Sequence, residues 1–269
     1  MNREVCRRRF LEITKLRRKG DSKLRGCLRF LMNALERNLR FIDDYVKKLD
    51  GIDSKISSRI SVLREILAQQ RKMFKSGIHR VENRIVSVSQ PHVRPIVRGK
   101  AGREVEFGAK ITVSLADGMA ILERLSWNAY DEASDLQSLA ERFRRRTGHY
   151  PEAILADKIF RTRENLRYCK EHEIRLSGPR LGRPPKELDP EVLKLEAKDS
   201  AERNSIEGKF GQCVRRLGLG RVMAKLKGTS ETAIAISILT ANLLKLLGES
   251  LASSRFLPGT ADFKLLRAL

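Results

Sequence analysis

Residues 153–157 read Ala-Ile-Leu-Ala-Asp, four small or apolar residues closing on a carboxylate. A short uncharged run of this kind, after Gly148 and Pro151, has the form of a buried strand ending at Asp157. Open α/β sheets bind ligands at that edge, so Asp157 is a candidate metal ligand. Composition alone favours a helix N-cap or a strand-end turn here, because a short carboxylate can satisfy free backbone N–H groups.

Working outward, the pattern on both sides predicts a mixed α/β layer. Upstream, Leu136, Leu139, Ala140 and Phe143 give an amphipathic helix over about 132–147, closed by Gly148. Before it, EFGAKITVSL and MAILERLSW alternate with period two around Ala116-Asp117-Gly118, a hairpin signal. Downstream, Thr162 starts a helix and Ile174-Arg175-Leu176 reads as the next strand. A Pro/Gly/basic loop follows at 177–190, then a long helix to about Leu217 and an apolar helix at 230–249. The tail, 253–269, carries no clear pattern. Antiparallel strands followed by strand–helix–strand define the expected class.

Residues 1–78 read as helical. Leu24, Leu28, Leu31, Leu35, Leu39, Ile42 and Val46 recur at helical spacing, and Ile56, Ile60, Leu63, Leu67 and Phe74 resume after Leu49-Asp50-Gly51. An antiparallel helical hairpin with solvated charges is expected; a DNA-contacting arm is the sharper alternative. Residues 79–104, rich in arginine and proline, suit an extended linker or an edge strand. The expected organisation is therefore a helical region at 1–78, a basic linker at 79–104, a core at 105–250 and a tail at 251–269.

Lys and Arg number 55 against 33 Asp and Glu, a net charge of +22. Such a surplus favours a polyanionic partner, since each neutralised phosphate releases counterions. It does not separate DNA from RNA or an anionic membrane. Cys6, Cys27, Cys169 and Cys213 are scattered, as are the four histidines, so no zinc signature arises and idle thiols are expected. The basic N-terminus lacks an apolar stretch behind it, so no secretory signal is read. Ser237, Thr240, Asn242 and Lys245 interrupt the stretch Thr232–Leu247, which reads as a buried helix of a soluble protein.

A second carboxylate stands in RNSIEGKF. Arg203 and Glu207 are four apart and share a helix face, with Ile206 and Phe210 beside them. A surface ion pair is the plain reading; a metal-bound Glu is the functional one. Phosphodiester chemistry is commonly run by Mg²⁺ or Mn²⁺ held on carboxylates, because hard cations take oxygen ligands. Asp131, Glu132 and Asp135 read as a solvated helix start. Trp127 reads as packing, and Gly182–Lys186 (GRPPK) as a basic loop, with a minor-groove hook as the sharper option.

Several stretches together resemble DDE transposases of bacterial insertion sequences. They are ADKIFRTRENLRYCKEHEIRLSGPRLGRPPK, ERNSIEGKFGQCVRRLGLGRVMAKL, VRPIVRGKAGREVEFGAKITVSLADG and LSWNAYDE, covering most of 84–247. The resemblance implies an RNase H-like catalytic core, with Asp157 as its second acidic ligand, Glu207 as its third, and Arg203 in the same signature. It implies Mg²⁺ or Mn²⁺ as cofactor and double-stranded DNA, the transposon ends, as partner. The chain departs from the family where a basic residue usually follows the Glu by seven positions: Val214 stands there, with Arg215 and Arg216 adjacent. The first catalytic Asp is expected on a strand upstream of a helical insertion like 1–78, so the chain reads as beginning inside that insertion, with an incomplete core and an unfilled slot in its sheet. Asp117 is the fallback for this ligand, although its Asp-Gly hairpin explains it without catalysis.

The expectation is a DNA transposase for strand cleavage and transfer, read as an N-terminally truncated and inactive copy or as an active enzyme. The alternatives are a non-catalytic DNA-binding protein and an RNA- or ribosome-associated basic protein. A cytoplasmic, nucleoid-associated location, no membrane association and a homodimer complete the expectations.

Overall fold

The computed structural model describes residues 3–18, 20–49, 51–100, 103–178, 182, 190–253 and 265–268. The chain divides into two units, Met1–Gly108 and Ala109–Leu269.

The first unit opens with three helices, α1 (Arg3–Thr14), α2 (Asp21–Val46) and α3 (Ser54–Ser76). Met32, Leu35, Leu39 and Ile42 of α2 meet Ile60, Leu63, Leu67 and Phe74 of α3, so the helical-spacing leucines do form a paired core. Asp53 caps α3 by accepting the Lys55 amide at 2.6 Å, and Gly77 ends it at φ 69°, a left-handed conformation that glycine adopts without strain. The guanidiniums of Arg25 and Arg29 lie 4.4 and 5.6 Å from the Phe74 ring centroid. Buried Gln69 accepts the Ile85 amide at 2.9 Å and donates to the Asn83 carbonyl at 3.3 Å, holding the following segment on α3. Part of the expected linker is ordered as an antiparallel ribbon, β1 (Arg94–Lys100) with β2 (Arg103–Gly108). The alternating run EFGAKITVSL is thus two strands, divided at Gly108.

The second unit is built on a five-stranded mixed sheet. Strands β3 (Lys110–Ala116) and β4 (Met119–Ser126) form the hairpin, and Asp117 and Gly118 turn it at φ 48° and 71°. Positive φ at both central residues matches strand twist, which is why Asp-Gly serves here. Strand β5 (Ala153–Leu155) leads through α5 (Arg163–Glu171) to a parallel partner, β6 (Arg175–Leu176). Strand β7 (Leu265–Ala268) completes the order β4-β3-β7-β5-β6. It runs antiparallel to β3 and parallel to β5, with Arg267 in register with both Leu115 and Leu155. The unfilled slot expected in the sheet is therefore occupied, and by part of the tail in which the sequence showed no pattern.

Helices cover both faces of this sheet. α4 (Leu136–Thr147) and α5 pack over Ala116, Ile154, Ala156 and Leu176. α6 (Pro190–Arg216) and α7 (Lys227–Ser253) cover the other face, where Ile206 and Ile238 meet Val113, Leu115 and Ala120. Strand alternation sorts neighbouring residues between these two cores. Gly148 closes α4 at φ 87°, and the Thr162 hydroxyl caps α5 by accepting the Asn165 amide at 3.1 Å.

Two buried carboxylates are paired. Glu123, almost fully buried, accepts the Ser114 hydroxyl at 2.6 Å and is bracketed by Arg142 at 3.0 Å and Arg146 at 2.7 Å. Asp135, expected in solvent, is buried; it accepts the Thr112 hydroxyl at 3.2 Å and an Arg124 N–H. The hairpin brings those two partners over the start of α4, and spacing along the chain does not register that approach. Glu132 pairs with Lys110 at 2.8 Å. The four cysteines are unbridged, and burial pushes the Cys169 thiol up to about 11, which keeps it neutral near pH 7. A central strand has ladder bonds on both sides, so Leu266→Pro, which deletes one N–H there, should abolish the cooperative thermal transition of the second unit by circular dichroism. An unchanged transition would contradict the position of β7.

Candidate active site at the end of strand β5

Asp157 follows β5 directly and is exposed. Its side chain accepts the Lys158 amide at 2.6 Å and so caps a short 3-10 turn at Lys158–Phe160. The capping reading of this residue is therefore real, and it leaves the carboxylate at the surface. The backbone stays extended through Asp157, at φ −67° and ψ 159°. Ile154 and Ala156 belong to the core under α4 and α5, so alternation turns Leu155 and Asp157 toward the α6 face.

The end of β5 is held firmly. Ser177 Oγ accepts the Ala156 amide at 3.1 Å, fixing the residue that precedes Asp157. Arg161 donates from one nitrogen to the carbonyls of Leu176 at 2.6 Å and Ser177 at 2.9 Å, tying the turn after Asp157 to the end of β6. Burial lowers the Arg161 pKa, and Glu196 of α6 opposes that shift. Sequence reasoning missed Ser177 and Arg161, because their roles depend on backbone atoms distant along the chain.

Glu207 lies on α6 and is exposed. Asp199, Ile206 and Cys213, seven residues apart, are the buried residues of that helix. Ile206 packs on the sheet, Arg175 of β6 forms an ion pair with Asp199, and Cys213 meets the Ser237 carbonyl of α7. At about 100° per residue, Lys209 falls on one flank of this stripe, and Arg203 and Glu207 fall on the other. The Lys209 flank faces α7, since its ammonium donates to the Ala241 carbonyl at 2.7 Å, and burial lowers its pKa. α7 in turn sits over β4, where Asn242 and the Ala120 backbone exchange hydrogen bonds of 2.8 and 2.7 Å. The opposite flank, with half-buried Arg203 and exposed Glu207, is thus turned toward the β5 side of the sheet.

Register fixes the level along the strands. Leu155 is level with Leu115 through Arg267, so Asp157, two residues on, is level with Val113. Ile206 packs in one cluster with Val113 and Leu115, which places the Glu207 turn of α6 at that same level. Asp117 is elsewhere: Ala116 is level with Ile154, so Asp117 is level with Ala153, at the opposite end of β5. It lies roughly 13 Å from Asp157 along the strand direction and about 10 Å across two interstrand steps.

Oxygen donors at Asp157 and Glu207 suit a hard divalent cation, but two carboxylates are a partial ligand set. Among the described residues no group of three or more His, Cys, Asp or Glu is placed to hold a metal ion. Val214 is exposed, and its carbonyl lies where a side chain on Gly220 would clash, at 2.8 Å. Arg215 folds back along α6 against Gly211, one turn beyond Glu207. Trp127 donates to Glu231 of α7 at 2.7 Å, in keeping with a packing role. Of the GRPPK loop only Gly182 falls within the described residues.

Residues 154–244 match the family model described as the transposase DDE domain. That stretch begins in β5 and ends in α7, and it includes Asp157, Arg203 and Glu207. The match supports the resemblance to DDE-type transposases that the sequence of this stretch shows. Comparison with curated proteins and with solved structures gives no match.

Replacing the Ser177 hydroxyl leaves the buried Ala156 amide without its acceptor. Ser177→Ala should cost about 1–3 kcal/mol in urea denaturation. A loss below about 0.3 kcal/mol would show that the clamp does not hold the strand end.

Proposed function

We propose that the chain is a DNA transposase of the DDE type with an RNase H-like core, acting on transposon ends by metal-dependent strand cleavage and transfer. What supports this reading is the match of 154–244 to the transposase DDE domain, together with the exposure of Asp157, just past the end of β5, and of Glu207 on α6, the helix whose Ile206 packs on the same sheet. Asp157 and Glu207 would hold Mg²⁺ or Mn²⁺, which when bound activates the attacking hydroxyl and stabilises the leaving oxygen. The strand end and its Ser177 clamp position Asp157, the buried stripe of α6 positions Glu207, and Arg203 adds a guanidinium suited to a phosphate oxygen one turn away. Asp117 has no part in this set. Arg215 is the basic residue nearest in role to the one that Val214 replaces, just over two turns past Glu207 and folded back along the helix against Gly211. A cytoplasmic, nucleoid-associated location follows from this substrate.

The second reading is a DNA-binding protein that does not cleave. It is favoured by β7, whose residues Leu265, Leu266, Arg267 and Ala268 bring no carboxylate to the strand beside β5. The net charge of +22 serves either reading, since phosphate contacts dominate affinity for DNA.

A nicking assay on duplex DNA carrying the element's ends, with Mg²⁺ or Mn²⁺, distinguishes them. Asp157→Ala and Glu207→Gln should each reduce nicking by on the order of 100-fold or more, whereas Asp117→Ala should leave it unchanged. Nicking that survives both active-site changes would overturn the site. Tight, salt-sensitive binding with no nicking by the wild-type chain would establish the second reading.

A further inference from the structure

Helix α7 has two apolar faces, and the sheet uses only one. Ile234, Ser237, Ile238 and Ala241 are buried. That face is fastened by Asn242 to Ala120, by Lys209 to the Ala241 carbonyl and by the Ser237 hydroxyl to the Leu217 carbonyl at 2.7 Å. On the other side Ile236, Leu239 and Leu243 are each more than half exposed, and Leu246 is 47 % exposed. Leu244 and Leu247 flank them, also largely open. Exposed apolar clusters of this kind mark association surfaces.

We propose that this face is a two-fold pairing seam, and that its occupant is α7 of a second copy of this chain. Ile236, Leu239, Leu243 and Leu246 follow one another at intervals of three, four and three, the spacing of coiled-coil core positions. The series is the same read in either direction, so a second copy matches it whether the helices run parallel or antiparallel. Thr229 and Thr232 before it, and Ser250 and Ser253 after it, keep the same phase with hydroxyl side chains. The apolar seam is therefore bounded at both ends, and two copies fit centre on centre.

Area agrees with this partner. A half-exposed Leu or Ile leaves on the order of 80 Å² of apolar surface open, so six leave roughly 500 Å² per copy. Two copies would bury about 1,000 Å², the lower bound for a specific protein interface. The dimer is accordingly one of micromolar affinity, and repulsion between chains of +22 makes added salt strengthen it.

A lipid bilayer is the competing occupant, because Lys227–Ser250 is long and apolar enough by length and composition to cross one. The exposed apolar seam from Ile236 to Leu247 spans only about 17 Å, against a hydrocarbon thickness of about 30 Å. The opposite face of the helix is bonded to β4 through Asn242, to α6 through the Ala241 carbonyl and to the Leu217 carbonyl through Ser237, all within 237–242.

Sedimentation equilibrium of the full chain in about 0.5 M NaCl tests the seam. The wild type should show a monomer–dimer equilibrium between about 1 and 100 µM. The exposed double change Leu239→Glu/Leu243→Glu should raise the dissociation constant at least about 100-fold, and the milder Leu243→Gln about tenfold, both with the wild-type melting curve. Asp157→Ala should leave the dimer intact, so the result is independent of chemistry at that site. A wild type that is monomeric at 100 µM, or a dimer as tight in Leu243→Gln as in wild type, overturns the proposal. So does binding of the chain to neutral phosphatidylcholine vesicles that Leu239→Glu/Leu243→Glu abolishes, which would make the seam a lipid-binding face.

Discussion

The second unit depends on one pairing constraint: β7 must lie between β3 and β5. Without it the β3–β4 hairpin and the parallel β5–β6 pair share no ladder, and their backbones would face each other across a strand-wide gap. With it, Arg267 pairs on both sides, and the rows Leu115–Arg267–Leu155 run continuously across the sheet. A sheet with such a gap would present two unpaired edges, a source of aggregation that closure by β7 removes. The same continuity sets the level of Asp157 against the helices above it.

Burial on the two faces then fixes the helices, and the helices fix the carboxylates. On one side Leu136, Leu139, Phe143 and Phe160 fill the space under α4 and α5, so β5 cannot slide along its length without opening a cavity. On the other, Ile206 sits in a pocket of Val113, Leu115, Ala120 and Ile238, which locks the rotation of α6. Glu207 inherits its direction from that neighbour, and Asp157 inherits its own from Leu155. Among the described residues, the Lys158 amide on Asp157 is the one hydrogen-bond partner found for either carboxylate. Over the hairpin, buried Glu123 and Asp135 are matched by arginines, an arrangement that is expensive to break but adds little net stability.

Much of this was legible in the sequence because it rested on local chemistry. Asp117-Gly118 announced its hairpin, Thr162 its cap and Gly148 its helix end, since each satisfies backbone demands within a few residues. The apolar run before Asp157 identified β5, and the resemblance of 156–186 and 202–226 identified the family that the match at 154–244 bears out. What was hidden depended on distant partners. β7 is four residues long, and nothing in Leu-Leu-Arg-Ala distinguishes a central strand from a tail. Asp135 looked solvated until Arg124 and Thr112 were brought over it, and Ser177 gained its role only when β6 lay beside β5. Alternation in EFGAKITVSL ran through Gly108 without revealing that one strand ends there and another begins at Lys110.

The central claim is that Asp157 and Glu207 form one divalent-metal locus at the end of β5. Fe²⁺ bound in place of Mg²⁺, with ascorbate and peroxide, generates hydroxyl radicals that cut the backbone nearest the metal. The full chain should be cut near both residue 157 and residue 207, and excess Mg²⁺ should suppress the two cuts together. Cleavage at only one of these places, or at neither, would contradict it.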